Sequence, residues 1–128
     1  MATFEALRRY IKDNYVVDKD QPGLIKLVFN VGDRRSQMVF VSRMSLGEQE
    51  WAEISTPVCT HTQIDPRDAL VRNGKMVVGG LAIEGDHVMF RHSLPLADLD
   101  IDECEVPLHL VANYGDKLER ELTGTDTF

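Results

Sequence analysis

Leu24-Ile-Lys-Leu-Val-Phe-Asn-Val31 and, after Gly32-Asp33, Ser36-Gln-Met-Val-Phe-Val-Ser-Arg43 are the two runs on which the reading of the fold turns. Successive side chains on a strand point to opposite faces, so Ile25, Leu27, Phe29 and Val31 share one face while Lys26 and Asn30 mark the other. Gly32-Asp33 turns the chain. In the second run Met38 and Phe40 alternate with Val39 and Val41, so both of its faces are apolar. Ser45 to Glu50 is polar and contains Gly47, a second turn. Trp51 to Val58 is then a third strand, with Ala52, Ile54 and Thr56 opposite Glu53 and Ser55.

Outward from this meander, residues 3–14 read as an amphipathic helix. Thr3 caps it, Phe4, Leu7 and Ile11 recur at helical spacing, and Arg8, Arg9 and Lys12 turn outward. Pro22-Gly23 breaks the chain before the meander. Downstream, Asp65-Pro66 starts a short helix over Arg67 to Arg72, stopped by Asn73-Gly74. Met76 to Ile83 is a fourth strand, Glu84-Gly85-Asp86 a tight turn, and His87 to Leu94 a fifth. Gly79-Gly80 inside the fourth strand marks a bulge or a close approach of another backbone. The longest helix runs from Asp102 to about Leu122, with Asp102 and Glu105 spaced as a capping box. Leu108, Val111, Gly115, Leu118 and Leu122 form its apolar seam, and Pro107 must sit in its first turn or kink it.

The expected order is α-β-β-β-α-β-β-α. Strands grouped together, with helices before, between and after them, define an α+β class: a largely antiparallel five-stranded sheet packed on the N- and C-terminal helices. Its second face is then uncovered. With apolar Val28, Val39 and Val41 assigned there, that face invites burial by a partner or a second copy.

The chain has 128 residues, 14.5 kDa and 43% apolar side chains, which suits one domain, 1–128, that folds without disulfides or metal. The two widely separated cysteines, Cys59 and Cys104, fit a reducing compartment. With no signal-like start and no long apolar run, the expectation is a cytoplasmic protein with no membrane partner. Residues 98–128 hold 9 acidic and 2 basic side chains, so the whole net charge of −7 lies there. Such a balance repels phosphate backbones, and nucleic acid is not an expected partner. The acidic stretch reads as a solvated helix face or as a dock for a basic segment.

Chemistry-bearing motifs are sparse. There is no phosphate-binding loop, nucleophile elbow, Cys-x-x-Cys or His-Glu-x-x-His. Cys59-Thr60-His61 is ligand-like but lacks the second close-spaced pair of a zinc site, and nothing nearby completes a nucleophile. His87 and His92 lie an odd number apart on one strand and so face opposite ways. No catalytic residue, metal or cofactor is assigned. Arg34, Arg35 and Arg43 make a basic tip, either solvated or a grip for an anion or acidic peptide, and Trp51 opens its strand as a plug at the core's edge or as an interface anchor.

A resemblance covers nearly the whole chain. Met76-Val-Val-Gly-Gly-Leu-Ala-Ile-Glu-Gly-Asp-His-Val-Met-Phe-Arg-His-Ser-Leu-Pro-Leu-Ala-Asp-Leu-Asp100 resembles the strand-turn-strand and Leu-Pro-Leu lead-in to the last helix of the bacterial sensory-transduction-regulator-like family. Ala112, Asp116-Lys-Leu-Glu119 and Thr123-Gly-Thr-Asp126 are similar too. The resemblance implies the type III secretion chaperone-like fold and no catalytic residues, and Pro107 departs from the smooth helix expected there. Chaperones of that fold are small acidic homodimers holding an extended client segment.

Together these readings point to a non-enzymatic protein-binding module. It would be chaperone-like or a regulatory adaptor, a homodimer with an unidentified protein client, binding through Val39, Val41, Trp51 and Met89. The alternative is a small-molecule sensor or enzyme with a pocket near His61, His87, Arg91 and His92.

Overall fold

The computed structural model describes residues 2–128. Helix α1 (Phe4–Asn14) precedes strands β1 (Val17–Gln21), β2 (Leu24–Gly32), β3 (Arg35–Leu46) and β4 (Gln49–Thr60). Helix α2 (Pro66–Lys75), β5 (Gly80–Glu84), β6 (His87–Pro95), a 3-10 turn (Ile101–Cys104) and α3 (Glu105–Thr123) complete the chain. The strands form one antiparallel sheet in the order β1-β2-β3-β4-β6-β5.

The sheet thus has six strands, not the expected five. The added strand, β1, carries Asp18, Lys19 and Asp20 and shows no apolar alternation. It pairs with β2 across Pro22-Gly23, with Gly23 at φ +74°, so the expected break is a hairpin turn. Charges on an edge strand discourage pairing with another chain. Those of β1 are also tied down: Asp20 accepts from Arg8 at 2.6 and 2.7 Å and lies 3.1 Å from Lys12, and these cations hold its carboxyl at about 2.

Helices α1 and α3 cover one face. Phe4, Leu7 and Ile11 from α1, and Leu108, Val111, Ala112 and Leu118 from α3, are buried with Ile25, Leu27, Ile54, Phe90 and Leu94. Burial of a large apolar side chain is worth about 1.5–3 kcal/mol, so this layer dominates stability. Closest approach is at Gly115, where a Cβ would be driven into the Thr56 side chain. Pro107 occupies the first turn of α3, the position that tolerates it. The capping box lies one turn-start earlier than expected: Asp100 N–H donates to Glu103 Oε1 at 3.0 Å, and not Asp102 to Glu105.

Val39 and Val41 require a correction. Both are wholly buried beneath the helices, opposite Leu27 and Ile25, not on the uncovered face. The β2–β3 turn is tight, with Asp33 and Arg34 both at positive φ, and Gly32 pairs with Arg35. A bulge between Asn30 and Gly32 then shifts the register by one residue, which exchanges the faces of everything beyond it. Met38 and Phe40 take the uncovered face instead.

The fourth strand begins only at Gly80, and α2 runs on to Lys75 past Asn73-Gly74. Asp65 caps α2 as expected, accepting from Arg67 N–H at 2.8 Å. Asn73 has a different use: Leu81 N–H donates to its Oδ1 at 2.7 Å and its Nδ2 donates to Leu81 O at 3.2 Å, closing part of the β5 edge. Gly79, at φ +74°, is required because a Cβ there would meet Arg91 O and the Phe90 ring.

Candidate functional site

On the face away from α1 and α3 the sheet forms an open groove of about 560 Å³. Its lining comes from β2 to β6 and from Phe128, in the segment that follows α3. Apolar contacts are supplied by Leu24, Met38, Phe40, Met44, Pro57 and Met89. Methionines fill irregular gaps and adapt to differing partners, and three of the five in the chain stand here.

A polar strip crosses the floor. Glu53 is only 5% exposed and accepts from Arg91 at 3.0 Å, with Ser55 beside them. Burial pushes the Glu53 carboxyl above its ordinary range, and Arg91 opposes that rise. Trp51 pairs with Met44 on one side and Pro95 on the other, which puts it on this face at the groove's far end. Its buried Nε1 has no acceptor among the described residues. Of the expected partner-binding residues, Met89 therefore lines the groove, Trp51 extends it, and Val39 and Val41 lie in the core.

His87, Arg91 and Met89 share the groove, whereas His92 points to the opposite face, where burial lowers its pKa. His61 lines a separate hollow between α2 and β5, 3.7 Å from Asp86. The constellation of His61, His87, Arg91 and His92 is thus divided among three places and makes no common pocket. Cys59 is buried, with its thiol pushed up by burial, while His61 is exposed, so that ligand-like triplet is split as well.

Of the basic tip, Arg35 meets the acidic stretch, whereas Arg43 pairs with Glu50 at 2.7 Å. Arg35 Nε donates to Asp116 Oδ1 at 2.7 Å, and its Nη2 lies 3.7 Å from Glu119 and 3.9 Å from Asp126. Arg120 is 3.2 Å from Asp116. Asp116 and Glu119 are buried, so the acidic run is not a uniformly solvated face. The three carboxylates converge within 4.8 Å, and the guanidinium groups of Arg35 and Arg120 already pair with them where a cation would sit. Glu119 Oε2 also accepts the backbone N–H groups of Thr127 and Phe128, at 2.7 and 3.0 Å. Arg35 donates to Thr125 O at 2.6 Å. These bonds lead the chain from the end of α3 around to the groove. Sequence reading missed the whole assembly, because no local motif links Arg35 to residues more than eighty positions away.

A chaperone-like α+β fold is the class to which this architecture corresponds. A chain of the solved HopA1–SchA chaperone–effector complex is similar to it, with a TM-score of 0.63 at 11% identity, covering 89% of this chain and 88% of that one. No protein-family model and no curated protein matches the sequence. The chaperone-like fold that the resemblance implied is thus supported, while no family match supports the sensory-transduction-regulator-like family itself. Among the described residues no helix is long and apolar enough to cross a membrane.

Proposed function

We propose that this protein is a non-enzymatic, chaperone-like binding module that holds an extended segment of a client protein in the groove on its uncovered sheet face. The observation that carries this reading is the groove itself: concave, lined by methionines, with only a narrow polar strip to orient a bound backbone. Apolar concavities with few polar groups are the usual form of a binding site. The likeness to a chain of a chaperone–effector complex supports it. The protein acts in the cytoplasm as a single-domain homodimer, and Trp51 and Met89 contact the client.

The test is client capture by groove variants. Met44→Glu and Phe40→Asp place a charge against the client and reduce capture by tenfold or more, about 1.4 kcal/mol or greater. Arg9→Glu on exposed α1 surface leaves capture unchanged. Equal capture by all three, at unchanged melting temperature, refutes the groove as the client site. Val41→Asp is unsuitable for this purpose, because it buries a charge in the core and unfolds the chain.

A further inference from the structure

Phe128, which follows α3, lines the groove together with side chains of the sheet. Its ring meets His87 edge-on, with centroids 5.4 Å apart, at the end of the groove formed by Met38, Pro57 and Met89. Met38, Pro57 and Met89 line the same groove, and thioethers and a proline ring are favourable neighbours for an aromatic side chain. Two kinds of contact bring the ring there. The N–H groups of Thr127 and Phe128 converge on one oxygen of Glu119, and Arg35 grips the carbonyl of Thr125. The strap lies outside the helix and the sheet, held by a few polar contacts and one ring, so it can leave without unfolding either layer.

We propose that this end of the groove is an aromatic-accepting pocket, that Phe128 is its resident, and that a client enters by placing an aromatic side chain where Phe128 rests. The inference builds on the groove being the client site and names what the client must present: an extended segment bearing a phenylalanine-like side chain. Phe128 then acts as an internal competitor. A resident that fills the pocket nine-tenths of the time weakens an incoming ligand about tenfold.

The experiment uses the wild-type protein and Phe128→Ala, both carrying carbon-13 methionine methyl groups, titrated with the synthetic peptide acetyl-Thr-Gly-Thr-Asp-Thr-Phe and its Phe-to-Ala counterpart. In Phe128→Ala the Met38 and Met89 signals start at shifted positions. They move saturably with the Phe peptide, at an affinity about tenfold higher than in the wild type. Met76, outside the groove, stays fixed and reports that the fold is intact. The Ala peptide moves nothing. Unshifted Met38 and Met89 signals in the variant, equal affinities for both proteins, or equal responses to both peptides would each overturn the pocket. If the peptide binds as described while groove variants still capture client normally, the client reading falls and the pocket stands. The opposite pattern retains the groove and removes the pocket.

Discussion

Glu119 is fully buried, yet one of its oxygens, Oε1, has no hydrogen-bond partner. Burial pushes its carboxyl above the ordinary value, while the Thr127 and Phe128 N–H groups and Arg35 pull the other way. A carboxyl whose folded pKa is raised contributes stability that is full below its unfolded value and is lost as pH rises through the folded one. Relative to Glu119→Gln, the wild type should therefore lose stability as pH climbs from about 4 to 7. Urea unfolding of both proteins across that range checks this, and a pH-independent difference contradicts it. The same scale shows where sequence reading loses its grip. The alternation of β3 was legible, but its phase was not: one bulged residue near Val31 puts Val39 and Val41 under the helices and Met38 and Phe40 over the groove. Gly115 and Gly79 stood out in the sequence, and close approach explains both.

At the scale of elements, α1, the meander and α3 were legible because each buries a regular apolar stripe. Strand β1 was not, since a charged edge strand owes its existence to pairing with β2 rather than to its own pattern. Helix α2 was found from its cap and proline, but no residue in it is buried. Leu70 is 71% exposed and Ile83, on neighbouring β5, 62%. With Ile64, Pro66 and Leu81 they line an apolar hollow. On the homodimer reading proposed above, this hollow is the apolar surface that a second copy would bury, separate from the groove. Sedimentation should give twice 14.5 kDa for the wild type and 14.5 kDa for Leu70→Glu with Ile83→Glu, at similar melting temperature for the folded monomer. A monomeric wild type, or a dimeric variant, contradicts that placement.

For the whole molecule, two sheet faces carry different duties. One is closed by α1 and α3 and makes the core. The other is left to a groove, and the chain's charge is arranged around it unevenly. The acidic stretch is partly spent on holding Arg35 and the segment that leads to the groove. The remainder stays exposed, Asp98, Asp100, Asp102 and Glu103 ahead of α3 and Glu105 and Glu121 on it. That an uncovered apolar face existed was legible from the element order alone. Which residues form it was not, because curvature, register and the strap are set by contacts between distant parts of the chain.

The most direct test of that division is site-specific photo-crosslinking in cells, with p-benzoylphenylalanine placed at Phe40 and Met44 in the groove and, for comparison, at exposed Arg9 on α1 and Asn113 on α3. The groove account predicts one client cross-linked from Phe40 and Met44 and not from Arg9 or Asn113. The cross-links should map to one contiguous client stretch that carries an aromatic residue. Client cross-links from the helix positions alone would contradict it, and would move the binding surface to the other side of the molecule.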